Sequence, residues 1–218
     1  MNYTLIILGI ILILVLYVLY RFVYDRQTMV SNKQYLADNP PDKSFEDLAN
    51  PESSRYSYNL WIYANTISGK ETIFSIDQTK FKLEITNTGN LEFNVPGSSN
   101  IITSNYPLQK WVCVSISVDN NIVDSYLDGK LVKSQKISTI SDNKPTKTSK
   151  ISMGKGDKTG DIYIAEFERL PYPIDPQTAW DRYMAGNGGS YISNAFAAYG
   201  ANLILTKDQV DMKKYALF

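Results

Sequence analysis

The amino-acid sequence predicts an all-β sandwich with one short helix, preceded by a single N-terminal transmembrane helix. The first charged side chain is Arg21, and the residues before it are almost wholly apolar. From residue 55 to about residue 174, short segments rich in β-branched and aromatic residues alternate with Gly, Asn, Asp and Pro. This alternation is typical of strands and turns. Together the two patterns indicate a β domain attached to a membrane.

The N-terminal run reads MNYTLIILGIILILVLYVLY. A helix of that length spans about 30 Å, the thickness of a bilayer's hydrocarbon core. No basic residue precedes the run and no small-residue cleavage site follows it, so we expect an uncleaved anchor rather than a secretory signal peptide. We place the anchor at residues 3–22. The side chains expected to contact the membrane are Leu5, Ile10, Leu14, Tyr17, Tyr20 and Arg21.

The residues that flank the anchor predict its orientation. Arg21, Arg26 and Lys33 follow the apolar run, and basic residues favour the cytoplasmic side of a membrane. The single cysteine, Cys113, cannot form an internal disulfide, and no glycosylation sequon occurs after Asn2; both agree with a cytoplasmic domain. We therefore expect a single-pass membrane protein with its C-terminal domain on the cytoplasmic side.

Residues 25–54 are polar and are interrupted by Pro40, Pro41 and Pro51. A segment of this composition is not expected to bury a core of its own. We interpret it as a stalk that could reach about 100 Å when fully extended. A short helix from Ser44 to Leu48, capped by the Ser44 side chain, is the one regular element expected within it.

The β domain is predicted at residues 55–187. Within Trp111–Asp119, apolar residues alternate with mostly polar ones, which gives a strand with one apolar face. Asn87–Asn90 and Asp128-Gly129 are typical hairpin turns. Nine or so strands of this kind make a sandwich.

One helix is expected after the strands. Asp175 suits the N-cap position, Pro176 the first helical position and Gly186 the end of the helix. The extension at residues 188–218 has the pattern of a terminal β-hairpin around Lys207-Asp208-Gln209.

Composition excludes several classes of function. Lys and Arg together number 22, as do Asp and Glu, and histidine is absent. A neutral chain has no bulk field that attracts nucleic acid. Without histidine and with one cysteine, the chain lacks a zinc ligand set and every Ser-His or Cys-His nucleophile pair. We expect no nucleic-acid partner, no cofactor and no enzymatic activity.

Several segments resemble a laminin-G-like, or concanavalin A-like, jelly-roll domain over about residues 55–187. They are SYNLWIYANT, TIFSID, LEFNV, YPLQKWVCVSISVDNNIVDSYLDGKLVKS and the closing run ISMGKGDKTGDIYIAEFERLPYPIDPQTAWDRYMAGN. The resemblance implies a jelly roll in which Trp61, Trp111 and Trp180 are buried. It leaves the function open, because this fold serves lectins, enzymes and scaffolds.

The order of anchor, stalk and β domain is similar to that of membrane-associated virion proteins, or minor capsid proteins, of large DNA viruses. That resemblance implies a structural protein that links an internal membrane to a capsid shell. Its partners would be the lipid bilayer and capsid or assembly proteins. The alternative is a glycan-binding, lectin-like surface module.

Two carboxylates were considered as a catalytic pair. Glu166 and Glu168 are two residues apart on a predicted strand, so they share one face at roughly 7 Å. Concanavalin-like glucanases instead carry an E-x-D-x-x-E strand, and the spacing here differs. We therefore expect no glycosidase activity.

Three further sets of residues are candidates for binding. A calcium ion is the one metal considered, and each of its candidate aspartates also suits an ordinary turn. The calcium candidates are Asp77, Asp119 and Asp157, and the candidates for glycan contact are Tyr106, Tyr163 and Tyr172. Lys144, Lys147 and Lys150 form a basic loop that suits either solvent or phosphate and lipid headgroups.

Overall fold

The computed structural model describes residues 3–140, 143–154 and 160–188, and the backbone of 202–207 and 210–216; side chains at 3–5, 21–22 and 24–26 are outside this description. The helices are α1 (Tyr3–Thr28) and α2 (Pro176–Ala185). The first strands are β1 (Met29–Ser31), β2 (Gln34–Tyr35), β3 (Lys43–Ser44), β4 (Arg55–Thr66), β5 (Lys70–Ile76), β6 (Phe81–Thr86), β7 (Leu91–Val95) and β8 (Ser98–Thr103). The remaining strands are β9 (Trp111–Asp119), β10 (Ile122–Leu127), β11 (Lys130–Lys136), β12 (Lys150–Met153), β13 (Asp161–Leu170), β14 (Asn202–Lys207) and β15 (Val210–Ala216).

Two antiparallel sheets make the sandwich. The seven-stranded sheet has the order β1-β13-β4-β9-β10-β11, with β2 also paired to β13. The six-stranded sheet has the order β3-β12-β5-β6-β7-β8. The predicted all-β sandwich with one short helix is confirmed. Strands β14 and β15 pair with each other in a separate two-stranded sheet, and residues 208–209 between them are outside the described residues.

The core lies between the sheets because side chains alternate along each long strand. On β9, Val112, Val114 and Ile116 are buried in the core, as the alternation predicted. From the other strands come aromatic rings that contact one another, with centroids 4.7–6.3 Å apart. They are Tyr58, Phe74, Phe81, Phe93 and Phe167.

Helix α1 presents apolar side chains on all its faces. Every residue from 6 to 20 is exposed, including the predicted membrane contacts Ile10, Leu14, Tyr17 and Tyr20. The side chains of Leu5 and Arg21 lie outside the described part. Among the described residues, no helix combines the length and the apolar character needed to cross a membrane. The helix predicted at residues 3–22 is present as part of α1, Tyr3–Thr28, and its insertion in a membrane stays a prediction.

The prediction of a free stalk at residues 25–54 is wrong. Strands β1 and β2 pair with β13, and β3 pairs with β12. The segment is polar on average, but it needs no core of its own because it extends sheets that already exist. Its few apolar side chains enter the shared core; these are Val30, Leu36, Phe45 and Leu48. The predicted cap is confirmed: the Ser44 hydroxyl accepts a hydrogen bond from the Glu46 amide at 3.2 Å, at the start of a 3₁₀ turn.

A buried guanidinium group binds this segment to the sandwich. Arg169 on β13 has no exposed surface, and it donates hydrogen bonds to the carbonyl oxygens of Ala49, Asn50 and Pro51 at 2.8, 3.1 and 3.3 Å. Its charge also lies 5.2 Å from the ring centroid of Phe45, within cation–π range. We call this arrangement the Arg169 latch. It fixes the loop that leads from the short strand β3 to the long strand β4.

The latch extends to the end of α1. The Ala49 amide donates to the Gln27 carbonyl at 3.0 Å, and Thr28 is buried. Helix α1 therefore continues into β1 with no slack between them. The neighbouring hydroxyls stay neutral, because burial raises the pKa of Tyr58 to about 12 and raises that of Tyr56 further. The Arg169 charge is thus balanced by carbonyl dipoles and ring faces.

Replacing Arg169 tests the latch. Arg169→Met should lower the free energy of unfolding by about 3 kcal/mol, because the hydrogen bonds from the buried guanidinium to Ala49, Asn50 and Pro51 are lost. Arg55→Met is the control, since Arg55 makes an exposed ion pair with Asp119 at 2.9 Å and such pairs contribute less than about 1 kcal/mol. The measurement is urea denaturation of both variants. Equal stability losses would contradict the assignment.

Candidate functional site

Helix α2 covers part of the outer face of the seven-stranded sheet. The Asp175 carboxylate accepts from the Thr178 amide at 2.8 Å, Pro176 is the first helical residue and Gly186 follows the last, which confirms the predicted caps. Trp61, buried beneath the helix, stacks on Tyr183 with ring centroids 5.7 Å apart. The segment before the helix covers a further part, because the carbonyl oxygens of Tyr172 and Ile174 accept hydrogen bonds from the Ser57 and Ser117 hydroxyls. The end of this face that carries Tyr63 and Trp111 is only half-buried, and we call it the uncovered part.

A line of four aromatic rings crosses the uncovered part. Tyr35, Tyr163, Tyr63 and Trp111 lie side by side on β2, β13, β4 and β9. Successive ring centroids are 4.6, 6.3 and 5.5 Å apart, and each side chain is half-buried. We call these four residues the aromatic row. Sequence analysis found only Tyr163, because Tyr35 was assigned to the stalk and Trp111 to the core.

A polar cleft of about 460 Å³ adjoins the Trp111 end of the row. The Lys33 ammonium lies 5.8 Å from the Trp111 ring centroid, so the cation and the ring form one surface. The cleft is lined by Asn32, Lys33, Trp111, Glu166, Asn187 and Gly188. It therefore offers amide, ammonium and carboxylate groups beside an aromatic ring.

Glu166 lies at a bulge in β13, between Ala165 and Glu168. Its φ is +47°, a left-handed conformation that is strained for a residue with a side chain. The carboxylate lies against Gly188, where an added Cβ would collide with it. The bulge therefore places this carboxylate in the cleft, and the glycine leaves room for it.

The two carboxylates considered as a catalytic pair have different surroundings. Glu166 lines the cleft, whereas Glu168 forms an ion pair with Arg182 of α2 at 2.8 Å. The regular alternation that was expected to put them on one face is broken by the bulge between them. Nothing in this arrangement makes them a matched acid and base.

A second carboxylate cluster, on the outer face of the six-stranded sheet, was missed by sequence analysis. Glu84 and Glu92 are directly opposite each other on β6 and β7. Lys70 contacts both carboxylates, at 3.0 and 2.6 Å, and the Asn94 amide donates to Glu84. The hydrogen bond from Lys70 lowers the pKa of Glu92, and Glu92 in turn raises the pKa of Lys70. A glycosidase acid needs the opposite shift.

The remaining glycan candidates do not come together. Tyr106 is buried and its hydroxyl donates to the Ile62 carbonyl at 3.1 Å, so its prediction as a surface residue is wrong. Tyr172 is exposed beyond β13, and its carbonyl accepts from the Ser57 hydroxyl. Of the three tryptophans expected to be buried, Trp61 is, whereas Trp111 is half-buried and Trp180 is exposed.

The calcium candidates are separate from one another. Asp77 accepts from the Ser149 hydroxyl at 2.6 Å and forms an ion pair with Lys80. Asp119 pairs with Arg55, and Asp157 lies outside the described residues. Within the described ranges, no group of three or more His, Cys, Asp or Glu side chains could hold a metal ion.

Two stacked antiparallel sheets with one open outer face define a lectin-like β-sandwich domain. The model of the concanavalin A-like lectin/glucanases superfamily matches residues 40–167, more than half of the 218 residues. The chain belongs to that superfamily, as the resemblance implied. The match begins at residue 40, inside the segment that the structure joins to the sandwich. No curated protein sequence gives a significant match.

Solved structures of botulinum neurotoxin binding domains share this fold. The serotype D ligand-binding domain in complex with N-acetylneuraminic acid is 20% identical, with a TM-score of 0.53 over 72% of this chain and 43% of that one. The binding domain of botulinum neurotoxin DC in complex with rat synaptotagmin II is 20% identical, with a TM-score of 0.52 over 62% and 37%. The chain thus spans less than half of these domains, and the likeness establishes the fold alone.

The Lys70 contacts predict a pH-dependent effect on stability. Since the folded state lowers the pKa of Glu92, its contribution is present above the ordinary value of 4.5 and is lost as pH falls through the folded-state pKa. Lys70→Gln should therefore destabilise the protein at pH 7 and much less at pH 3. Lys130→Gln, at an exposed position on β11, should have little effect at either pH. Urea denaturation measures both, and a Lys70→Gln effect independent of pH would contradict this.

Proposed function

We propose that this protein is a non-enzymatic interaction protein, held at a lipid bilayer by residues 3–22, whose β-sandwich contacts a partner beside the membrane. The observation that carries the proposal is helix α1, which is apolar and exposed on every face. A helix that packed on a protein core would be apolar on one face only. Hydrocarbon is the environment that covers all faces at once.

The free-energy cost of leaving the apolar side chains of α1 in water is large. Burial of each large apolar side chain stabilises it by about 1.5–3 kcal/mol, and residues 5–8 and 10–16 are all Leu, Ile or Val. Leaving this surface in water would be very unfavourable for a domain of ordinary stability. The Arg21, Arg26 and Lys33 side chains at the C-terminal flank support a sandwich on the cytoplasmic side.

The setting that suits this arrangement is an assembly in which a protein shell lies over a membrane. A virion with an internal membrane under its capsid has that geometry, and the sandwich would link the two layers. A non-enzymatic role is supported by the carboxylates, since Glu168 is paired with Arg182 and Glu84 with Lys70. Cross-linking in the membrane fraction tests the setting: shell proteins should be the neighbours of the sandwich.

The aromatic row favours a second candidate function, glycan binding. Half-buried rings in a line can stack on the apolar faces of pyranose rings, while the cleft beside Trp111 supplies groups that bond to hydroxyls. In this alternative the sandwich is a lectin-like surface module. It shares the tether with the first proposal but reverses the topology, because the sandwich would then lie on the outer surface of the cell or virion.

Charges introduced into α1 test the tether. Leu8→Lys/Leu12→Lys should abolish flotation with phosphatidylcholine vesicles, because each lysine at the centre of a span costs about 3 kcal/mol. Leu131→Lys/Val132→Lys adds the same charges at exposed apolar positions of β11 and should float like the unchanged protein. In sealed cells that contain the protein, protease added outside should leave the sandwich intact, because the proposal places it on the cytoplasmic side. An unchanged protein that does not float would refute the tether.

Replacing one ring tests the glycan candidate. Trp111→Ala should weaken binding to a glycan identified on an array, because a stacked ring contributes about 1 kcal/mol or more. Trp180→Ala removes an exposed indole from α2, outside the row, and should leave binding unchanged. An array on which the unchanged protein binds no glycan would exclude this alternative.

A further inference from the structure

The basic loop singled out in the sequence is an ordered part of the sandwich. Lys144, Lys147 and Lys150 are exposed, while the backbone that carries them is held at Ser149. The Ser149 carbonyl accepts from the Phe45 amide at 3.0 Å, and its hydroxyl donates to Asp77 at 2.6 Å. We use the name basic loop for residues 143–150. Its lysines therefore project from a fixed backbone.

The basic loop lies at the end of the sandwich where α1 enters. The Ala49 amide is hydrogen-bonded to Gln27 in the last turn of α1. The residues that follow Ala49, from Asn50 to Ser53, line a cleft of about 330 Å³ together with Lys147. A short series of contacts thus joins the end of α1 to the basic loop, and neither belongs to the aromatic row or its cleft.

Among the described residues near the loop, several acidic side chains are already paired with other basic side chains; Asp142, which precedes the loop, is outside the described residues. Asp77 is paired with Lys80 at 3.0 Å, and Asp119 is paired with Arg55 at 2.9 Å. Asp47 is paired with Lys43 at 3.2 Å, and Glu46 is exposed beside it. Glu52 is the acidic residue that shares the cleft with Lys147. The sequence adds Arg21 and Arg26 near the end of α1.

We propose that the basic loop docks on anionic lipid headgroups of the membrane that holds α1. This rests on the proposed tether, which brings this end of the sandwich within about a Debye length of the bilayer surface, roughly 10 Å. Each lysine near an anionic leaflet favours docking by about fivefold. Because α1 has no slack before β1, docking also sets how the sandwich stands on the membrane.

The opposite end of the sandwich provides a matched control. Strand β9 begins at Trp111 and ends at Asp119, roughly 27 Å away. Lys110 precedes Trp111, and Lys130 lies at the β10–β11 hairpin on the same distant end. Both are exposed. They carry the same charge as the loop lysines, with Lys110 in an exposed ion pair with Asp128 at 3.0 Å, but they lie beyond the reach of the headgroups.

The test places a fluorescent probe in the loop of the full chain. Thr148→Cys adds an exposed thiol, and native Cys113 should not react because it is buried and burial raises its pKa to about 12. The labelled protein is reconstituted into vesicles of phosphatidylcholine, with or without about 30% phosphatidylserine, which gives the surface the negative charge of a cytoplasmic leaflet. Headgroup-labelled lipid then quenches the probe when the loop is docked.

Quenching should be strong in anionic vesicles, weak in neutral ones and reduced by salt. Lys144→Gln/Lys147→Gln should lower the ratio of docked to undocked loop about 30-fold, and Lys110→Gln/Lys130→Gln should leave it unchanged. Flotation is measured on the same samples. Protein that floats but shows no preference for anionic vesicles would overturn the loop proposal and spare the tether. Protein that does not float would refute the tether itself.

Discussion

The buried charge of Arg169 is the constraint on which much of this architecture depends. A guanidinium with no access to water must be surrounded by acceptors, and those acceptors are the carbonyl oxygens of Ala49, Asn50 and Pro51. The loop also depends on Arg169. Its residues are mostly polar and bury little apolar surface, so the hydrogen bonds that Arg169 donates hold it in place. Once the loop is fixed, the turn before it can hold Gln27 at the end of α1. One side chain on β13 thus connects helix, loop and sandwich.

This connection gives the molecule two distinct ends. At one end are the exit of α1, the Arg169 latch and the basic loop. At the other end, the uncovered part of the seven-stranded sheet carries the aromatic row and the cleft that contains Glu166. Helix α2 separates the row from the rest of the outer face by stacking Tyr183 on Trp61. A partner that contacts the row therefore meets a surface made of other residues than the Arg169 latch and the basic loop.

Local patterns in the sequence predicted the parts that depend on neighbours along the chain. Alternation identified the buried face of β9, and the Asp175 and Gly186 caps identified α2. The pairing of Glu84 with Glu92 could also have been found, because the two residues lie at equal distances in sequence on either side of Thr88, at the centre of the hairpin. Contacts between distant segments could not be found in this way. Tyr35 joins the aromatic row only because β2 pairs with β13, where its partner Tyr163 lies 128 residues later in the chain. The Glu166 bulge exists only in the pairing of β13 with β4.

The absence of slack between α1 and β1 has a mechanical consequence. A domain on a flexible tether would sample all orientations, whereas a domain joined without slack turns with its helix. Transmembrane helices tilt by about 20° on average, and the tilt changes with bilayer thickness. Met29, at the start of β1, is level with Ser115 of β9, because Met29 pairs with Glu168, Glu168 with Asn59, and Asn59 with Ser115. Trp111 lies four residues further along β9, roughly 14 Å, so a tilt of about 20° would move it sideways by about 5 Å. Under the proposed tether, the position of the aromatic row would then depend on the thickness of the bilayer.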